Sequence, residues 1–239
     1  MLYIIAKTCD AYLESRAAAI METWGTSPNM KLVFAGDEDR TINGFEQING
    51  LRPSGAHPPI TNSRYDDGTV KLFNSIRWAA KQEDLRWAFF CDDDIYLKVD
   101  RLRKYITTLN PRFNGCFGKD LEGNWPEDRD IAYPSGGAGF LLSKQVICQI
   151  LPHLESAPIT EPYYGDVMLG YVLRRANVRI IDHGVFFDQS ESDEWKEWQW
   201  GNGKRTPAIS YHYMTPQRMR TLHSVLTTEK EKCWMEEGK

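Results

Sequence analysis

Apolar residues along this chain gather into short blocks that alternate with stretches of helical spacing. "LYIIA" (Leu2 to Ala6), "KLVFAG" (Lys31 to Gly36) and "WAFFC" (Trp87 to Cys91) are mostly apolar runs too short for helices. Such runs predict strands buried on both faces, as in parallel sheets. After the first, Asp10 is placed to cap a helix through "AYLESRAAAIMETW", a segment rich in helix formers. "GDED" closes the second strand, and the Pro- and Gly-rich stretch from Arg52 to Pro59 predicts a loop. "DDGTVKLFNSIRWAAKQ" has the spacing of an amphipathic helix with Val70, Phe73, Ile76 and Ala79 or Ala80 facing inward. Strands alternating with helices predict an α/β fold, a Rossmann-like, mostly parallel sheet flanked by helices. No internal repeat or low-complexity segment marks a second domain.

The strand "WAFFC" runs directly into Asp92, Asp93 and Asp94. Three adjacent carboxylates repel one another unless a positive charge lies among them. In sheets of this kind ligands bind beyond the carboxyl ends of the strands, and that is where this strand delivers its acids. Asp92 and Asp94 are two apart, so in an extended chain their side chains point the same way. Such oxygen ligands suit a hard divalent cation and leave coordination positions for phosphate oxygens. The plainer reading is a solvated acidic turn.

Three further stretches carry candidate chemistry. "YPSGGAGFLLSK" (Tyr133 to Lys144) has glycines at 136, 137 and 139, which permit close backbone approach. It is neither a Walker A loop nor G-x-G-x-x-G, and it reads as a turn beside a ligand or as an ordinary tight turn. In "EPYYGDVMLGYVLRRANVRII", Asp166 stands at the mouth of a helix whose apolar face is Met168, Leu169, Val172 and Leu173. There it is a cap or dipole partner or, if aimed into a cleft, a general base. "AISYHYM" (Ala208 to Met214) alternates as a strand, with Ile209, Tyr211 and Tyr213 on one side and Ser210, His212 and Met214 on the other. His212 is then a packed histidine or a metal ligand.

Composition narrows the classes. The chain has 239 residues, 41% hydrophobic and 26% charged, enough for a sizeable core and against global disorder. A net charge of −4 without a basic stripe argues against a nucleic-acid partner. No apolar run is long enough to span a bilayer, and "MLYIIAKTCD" lacks a signal-peptide pattern. The expectation is a chain soluble where it is made, or a domain cut from a longer chain. The five cysteines show no CxxC pairing or zinc spacing and read as free thiols. Eight tryptophans exceed what a core needs, which fits a cleft lined with aromatic rings as well as packing.

"FFCDDDIYL", "YPSGGAGFLLSK", "YGDVMLGYVL" and "AISYHYM", in this order, resemble the signature blocks of glycosyltransferase family 31, most of all its core 1 β-1,3-galactosyltransferase and Fringe branch. "IIAKTC", "ETWG" and "GTVKLFNSIRWA" extend the likeness over nearly the whole chain. The resemblance implies a GT-A type fold, a UDP-sugar donor and an inverting transfer, with Mn²⁺, or Mg²⁺ in its place, as cofactor. It implies a nucleotide-binding half over about 1–118 and an acceptor and catalytic half over about 119–239. Carried over by position, Asp92 and Asp94 become the D-x-D pair, with Asp94 on the metal and Asp92 near the metal or the donor ribose. Lys7, Thr8, Arg16, Asp37, Lys71 and Asp93 fall on the donor side, with Gly136, Gly137 and Ala138 along the donor sugar. Asp166 takes the place of the catalytic base and His212 that of the C-terminal metal histidine. Family members often carry a second histidine after the base helix. Here "VFFDQSES" has none, so Asp188 stands as the alternative oxygen ligand. Trp195, Trp198 and Trp200 in "EWKEWQWGNGK" resemble the aromatic stretch facing the acceptor. The implied activity is transfer of a hexose, galactose first, to a glycan or glycoprotein hydroxyl in a β-1,3 linkage. UDP-N-acetylglucosamine is the alternative donor. A metal-dependent phosphohydrolase and a non-catalytic, chaperone-like relative are the rival classes.

Overall fold

The computed structural model describes residues 1–36, 46–47, 66–122, 131–156, 164–189 and 208–227. The chain begins with β1 (Leu2–Lys7), a helical segment ending in α1 (Ala18–Glu22), β2 (Lys31–Ala35) and β3 (Glu46–Gln47). Next come α2 (Asp66–Ala80), β4 (Trp87–Asp92), β5 (Tyr96–Leu97), α3 (Val99–Thr107), β6 (Gly115–Gly118), β7 (Asp120–Glu122) and β8 (Ala132–Pro134). It continues with β9 (Phe140–Ser143), α4 (Lys144–Glu155), α5 (Gly165–Arg175), β10 (Arg179–Ile181), β11 (Phe186–Phe187), β12 (Ser210–Tyr211) and α6 (Pro216–Thr227).

Seven strands form the central sheet in the order β10-β6-β9-β4-β1-β2-β3. Its pairings are parallel except for β9, which runs antiparallel to both β4 and β6. The continuous apolar runs arise because the pleat feeds two cores. Leu2, Ile4 and Ala6 of β1, with Trp87, Phe89 and Cys91 of β4, pack on α1, α3 and α6. Tyr3 and Ile5, with Ala88 and Phe90, pack on α2, α4 and α5. A strand covered on both faces has no polar side to alternate with.

Gly139 makes the reversal into β9 fit. Its φ is +78°, and a Cβ there would lie 2.2 Å from Cζ of Phe89. Gly139→Ala should therefore cost about 1–3 kcal/mol from overpacking, with backbone strain in addition. Chemical denaturation of the variant checks this, and an unchanged midpoint would contradict it.

Local expectations shift in three places. Asp10 falls one residue inside its helix, and Cys9, extended at φ −140° and ψ 165°, takes the capping position without a side-chain bond. The helix is composite, with a tight turn (Asp10–Tyr12), a wide π turn (Leu13–Ala17) and then α1. In α2 the inward stripe is Leu72, Phe73, Ile76 and Ala79, while Val70 is half-buried. The first turn of α2 packs by backbone, since a Cβ on Gly165 would sit 3.2 Å from the Gly68 carbonyl and from Cα of Thr69. The alternation of "AISYHYM" holds for only two strand residues. Tyr213 then turns to φ +54° and stands 57% exposed while Met214 is buried. Cys91 and Cys116 are buried free thiols, kept neutral because burial pushes both well up.

Candidate active site

The parallel register of β1 and β4 sets Lys7 beside Asp92, and Lys7 Nζ lies 2.8 Å from Asp92 Oδ1. Burial works against the Lys7 charge, but the Asp92 carboxylate outweighs it and holds the ammonium above its usual range. The strand ends at Asp92, and the next two residues form a turn. Asp93 turns inward, accepting from Thr8 Oγ1 at 2.7 Å and from Arg16 Nη1 at 2.8 Å. Burial raises its carboxyl, with Arg16 and Thr8 pulling the other way. Asp94 lies 3.5 Å from Arg16 and 3.4 Å from His212 Nε2. Burial opposes the Asp94 charge, yet His212 and Arg16 prevail and hold it below the usual carboxylate range. The chain's own cations thus meet part of the charge that the sequence left unbalanced. The convergence of Asp92 and Asp94 comes from the turn, and not from an extended pleat.

His212 directly follows β12, the middle strand of a small three-stranded sheet ordered β11-β12-β5. Ser210 and Tyr211 pair with Leu97 and Tyr96 immediately after the acidic turn, and Met214 N donates to Asp94 O at 2.9 Å. His212 Nδ1 lies 3.3 Å from the Asp188 carbonyl oxygen. A carbonyl only accepts, so Nδ1 carries the proton and Nε2 faces the carboxylates. This backbone support is the arrangement that orients metal-binding imidazoles. Burial disfavours the imidazolium, but Asp94 overrides it and the pKa of His212 rises. Ligand atoms of Asp92, Asp94 and His212 lie within 4.8 Å of one another. Two carboxylates and one imidazole form a donor set that suits Mn²⁺ or Mg²⁺. Asp188 lines the cleft but stands outside this cluster, serving His212 through its carbonyl.

The glycine turn separates the cluster from Asp166. A Cβ on Gly137 would lie 2.0 Å from Cε1 of His212, and one on Gly136 would lie 3.4 Å from Oδ2 of Asp166. Gly136 N donates to that same oxygen at 3.1 Å. Ala138 is buried, its N donating to Ser135 Oγ and its carbonyl accepting from Ser210 Oγ at 2.6 Å. Asp166 is in the first turn of α5 and accepts from Val167 N at 2.9 Å. The N-cap position belongs to Tyr164, which makes no side-chain cap bond. Burial raises the Asp166 carboxyl above the usual range, against the pull of the Gly136 amide and Lys7.

Lys7, Asp92, Asp93, Asp94, Gly136, Gly137, Asp166 and His212 line one open cleft of about 1030 Å³, together with Thr8, Arg16 and Lys71, whereas the buried Ala138 is not on its wall. Lys71 Nζ donates to the Thr8 carbonyl at 3.0 Å, and Arg16 stacks 4.0 Å over the Tyr12 ring. Asp37, Trp195, Trp198 and Trp200 lie outside the described residues. Sequence reasoning overlooked Tyr133, Tyr164 and Tyr213, all on the cleft wall. Tyr213 stacks on the His212 ring at 3.8 Å between centroids. Their only sequence signal was proximity to the motifs.

The chain matches the family model described as Fringe-like over residues 1–231. It is 26% identical over 187 residues to human chondroitin sulfate synthase 3, covering 73% of this chain and 20% of that protein. The chain therefore spans about a fifth of that relative's length. It is 23% identical to the β-1,3-N-acetylglucosaminyltransferase manic fringe of Danio rerio, covering 97% of this chain and 72% of that one. Among solved structures, galactosyltransferase LgtC in complex with donor and acceptor sugar analogues superposes with a TM-score of 0.59 at 11% identity, covering 97% of this chain and 98% of that one. The glycosyltransferase GlyE of Streptococcus pneumoniae TIGR4 gives 0.51 at 12% identity, covering 90% and 54%. The fold is of the GT-A type.

Proposed function

The chain belongs to the Fringe-like family of glycosyltransferases, and from that premise we propose that it moves a hexose from a UDP-sugar to a glycan or glycoprotein hydroxyl, inverting the anomeric centre to give a β-1,3 linkage. Galactose is the first donor sugar, from the core 1 likeness of the motifs. N-acetylglucosamine is the second, the sugar transferred by the similar manic fringe of Danio rerio, a β-1,3-N-acetylglucosaminyltransferase. One observation carries the reading: consecutive glycines face His212 of a metal-type cluster and the carboxylate of Asp166. A charge-neutralising end and a proton-accepting end therefore share one cleft.

The nucleotide half comprises about 1–118 and the acceptor half about 119–239. Asp92, Asp94 and His212 would hold a divalent ion, Mn²⁺ by preference, which supplies Lewis-acid stabilisation of the leaving diphosphate. Lys7, Arg16 and Lys71 on the cleft wall add fixed positive charge on the same side, and Asp93, itself held by Thr8, braces Arg16. Gly136 and Gly137 let the donor sugar approach the backbone, and buried Ala138 anchors the turn through Ser135 and Ser210. Asp166 accepts the acceptor hydroxyl's proton as its oxygen bonds to the anomeric carbon, and UDP departs with the electron pair of the broken bond. Attack opposite the leaving group inverts that carbon in one displacement.

The test is UDP release from purified protein given UDP-galactose, UDP-N-acetylglucosamine, UDP-N-acetylgalactosamine and UDP-glucuronic acid, with Mn²⁺ or with EDTA. Slow release from one donor that EDTA abolishes supports the reading. No release from any donor, together with no Mn²⁺-dependent UDP binding by calorimetry, rejects it and leaves the binding-module class.

A further inference from the structure

Five large apolar or aromatic side chains are exposed among the described residues, and two of them, Tyr164 at 43% and Tyr213 at 57%, line the cleft. An aromatic ring held in water at the wall of a cleft marks a ligand contact more readily than a packing role. Tyr213 is stacked on His212 and belongs to the metal end. Tyr164 lies two positions before Asp166, in extended backbone (φ −60°, ψ 141°) at the start of α5. Tyr133 on β8 joins it on the cleft wall because α5 and β8 pack unusually close. A Cβ on Gly170 would lie 2.6 Å from the Ala132 carbonyl and 2.8 Å from Cβ of Tyr133. Tyr133, Tyr164 and Asp166 line the same cleft, and burial first, then the charges of Asp166 and Tyr164, pushes the Tyr133 phenol up.

We propose that Tyr164 and Tyr133 form the acceptor subsite beside Asp166, with the Tyr164 ring lying on the apolar face of an acceptor pyranose and the Tyr133 hydroxyl bonding one of its hydroxyls. This rests on the transferase reading above. The proton that Asp166 removes belongs to the acceptor, so the reacting hydroxyl lies at Asp166 and its sugar ring is within reach of the side chains beside that carboxylate on the cleft wall. The nucleotide side carries Thr8, Arg16 and Lys71 instead. A tyrosine joins an apolar face to a polar tip, which matches a sugar ring with one C–H face and hydroxyls at its edge. The acceptor is accordingly a saccharide, and not a bare serine or threonine hydroxyl.

The experiment uses the donor found in the UDP-release panel, with the methyl glycosides of galactose, N-acetylgalactosamine, fucose and glucuronic acid and a threonine-containing peptide as acceptors. Tyr164→Ala should raise the acceptor KM about tenfold, the loss of one aromatic contact, while donor hydrolysis stays within about twofold of wild type. Tyr164→Trp should keep the acceptor KM within about threefold, because the ring and not the hydroxyl is used. Tyr133→Phe should raise it about threefold to tenfold, as for one neutral hydrogen bond. An unchanged KM in Tyr164→Ala, a Trp variant as poor as the Ala one, or use of the peptide alone overturns the subsite while hydrolysis continues. Failure of wild type to hydrolyse any UDP-sugar removes the transferase reading instead. Saturation-transfer NMR of the same glycosides then decides the subsite: signal lost in Tyr164→Ala upholds it, and absent or unaltered signal refutes it.

Discussion

Asp166→Asn should lower kcat by roughly 10² to 10⁴, the usual worth of a general base, and leave UDP binding close to that of wild type. Asp166 accepts Val167 N on Oδ1 and Gly136 N on Oδ2, so the single carbonyl oxygen of Asn keeps one of these bonds and the variant loses the other together with its proton acceptor. Burial raises the Asp166 carboxyl. The acid limb of the wild-type rate profile should therefore lie above the ordinary aspartate range, with the enzyme active where Asp166 is ionised. The same shift has a stability sign. A carboxyl with a raised folded pKa favours folding only at low pH, and that contribution is lost as pH rises through the folded pKa. At neutral pH the buried charge is a cost, and its removal offsets the hydrogen bond that Asn gives up, so Asp166→Asn should melt close to wild type. A variant that kept full turnover, or one that lost turnover only by unfolding, would remove Asp166 from the role of base.

Removing Asp94 should produce the second large effect. Second-shell changes alone typically weaken a metal site by about 10- to 100-fold, and Asp94→Ala deletes a ligand and its charge, so Mn²⁺ affinity should fall by more than that. His212→Ala should do the same through the other side of the cluster. Asp93→Asn is the internal contrast, because Asp93 faces Thr8 and Arg16 and not His212. It should alter stability and the placement of Arg16 more than Mn²⁺ binding. Titration calorimetry or Mn²⁺ paramagnetic resonance on the three variants separates these outcomes. Equal Mn²⁺ binding by Asp94→Ala and wild type would refute the cluster as a metal site.

What the sequence revealed, and what it hid, follows from the range of the interactions involved. The strands Leu2–Lys7 and Trp87–Asp92 were legible because burial on two faces leaves unbroken apolar runs. The acidic turn was legible because three adjacent carboxylates are costly anywhere else. The salt bridge between Lys7 and Asp92 was not, since only the register of β1 against β4 makes them neighbours. Nor was the departure of Tyr213 from its strand, where φ +54° accompanies stacking on His212 and burial of Met214, contacts that the alternating pattern does not signal. Tyr164 and Tyr133 were passed over for a similar reason: Gly170 and Gly165 draw α5 against β8 and α2, and glycine contacts leave no apolar pattern to read.

The acidic turn is stitched in place from both ends of the chain. Trp24 Nε1 donates to the Ile95 carbonyl across 71 positions, Met214 N donates to Asp94 O, and Lys98 N to Ile209 O. Contacts between segments so distant in sequence carry the largest loop-closure cost and slow a folding chain. Helices and the nearer strand pairs need no such closure. During refolding from denaturant, far-ultraviolet circular dichroism should recover first and Mn²⁺-dependent nucleotide binding later, because the cleft is assembled only when the last segment docks.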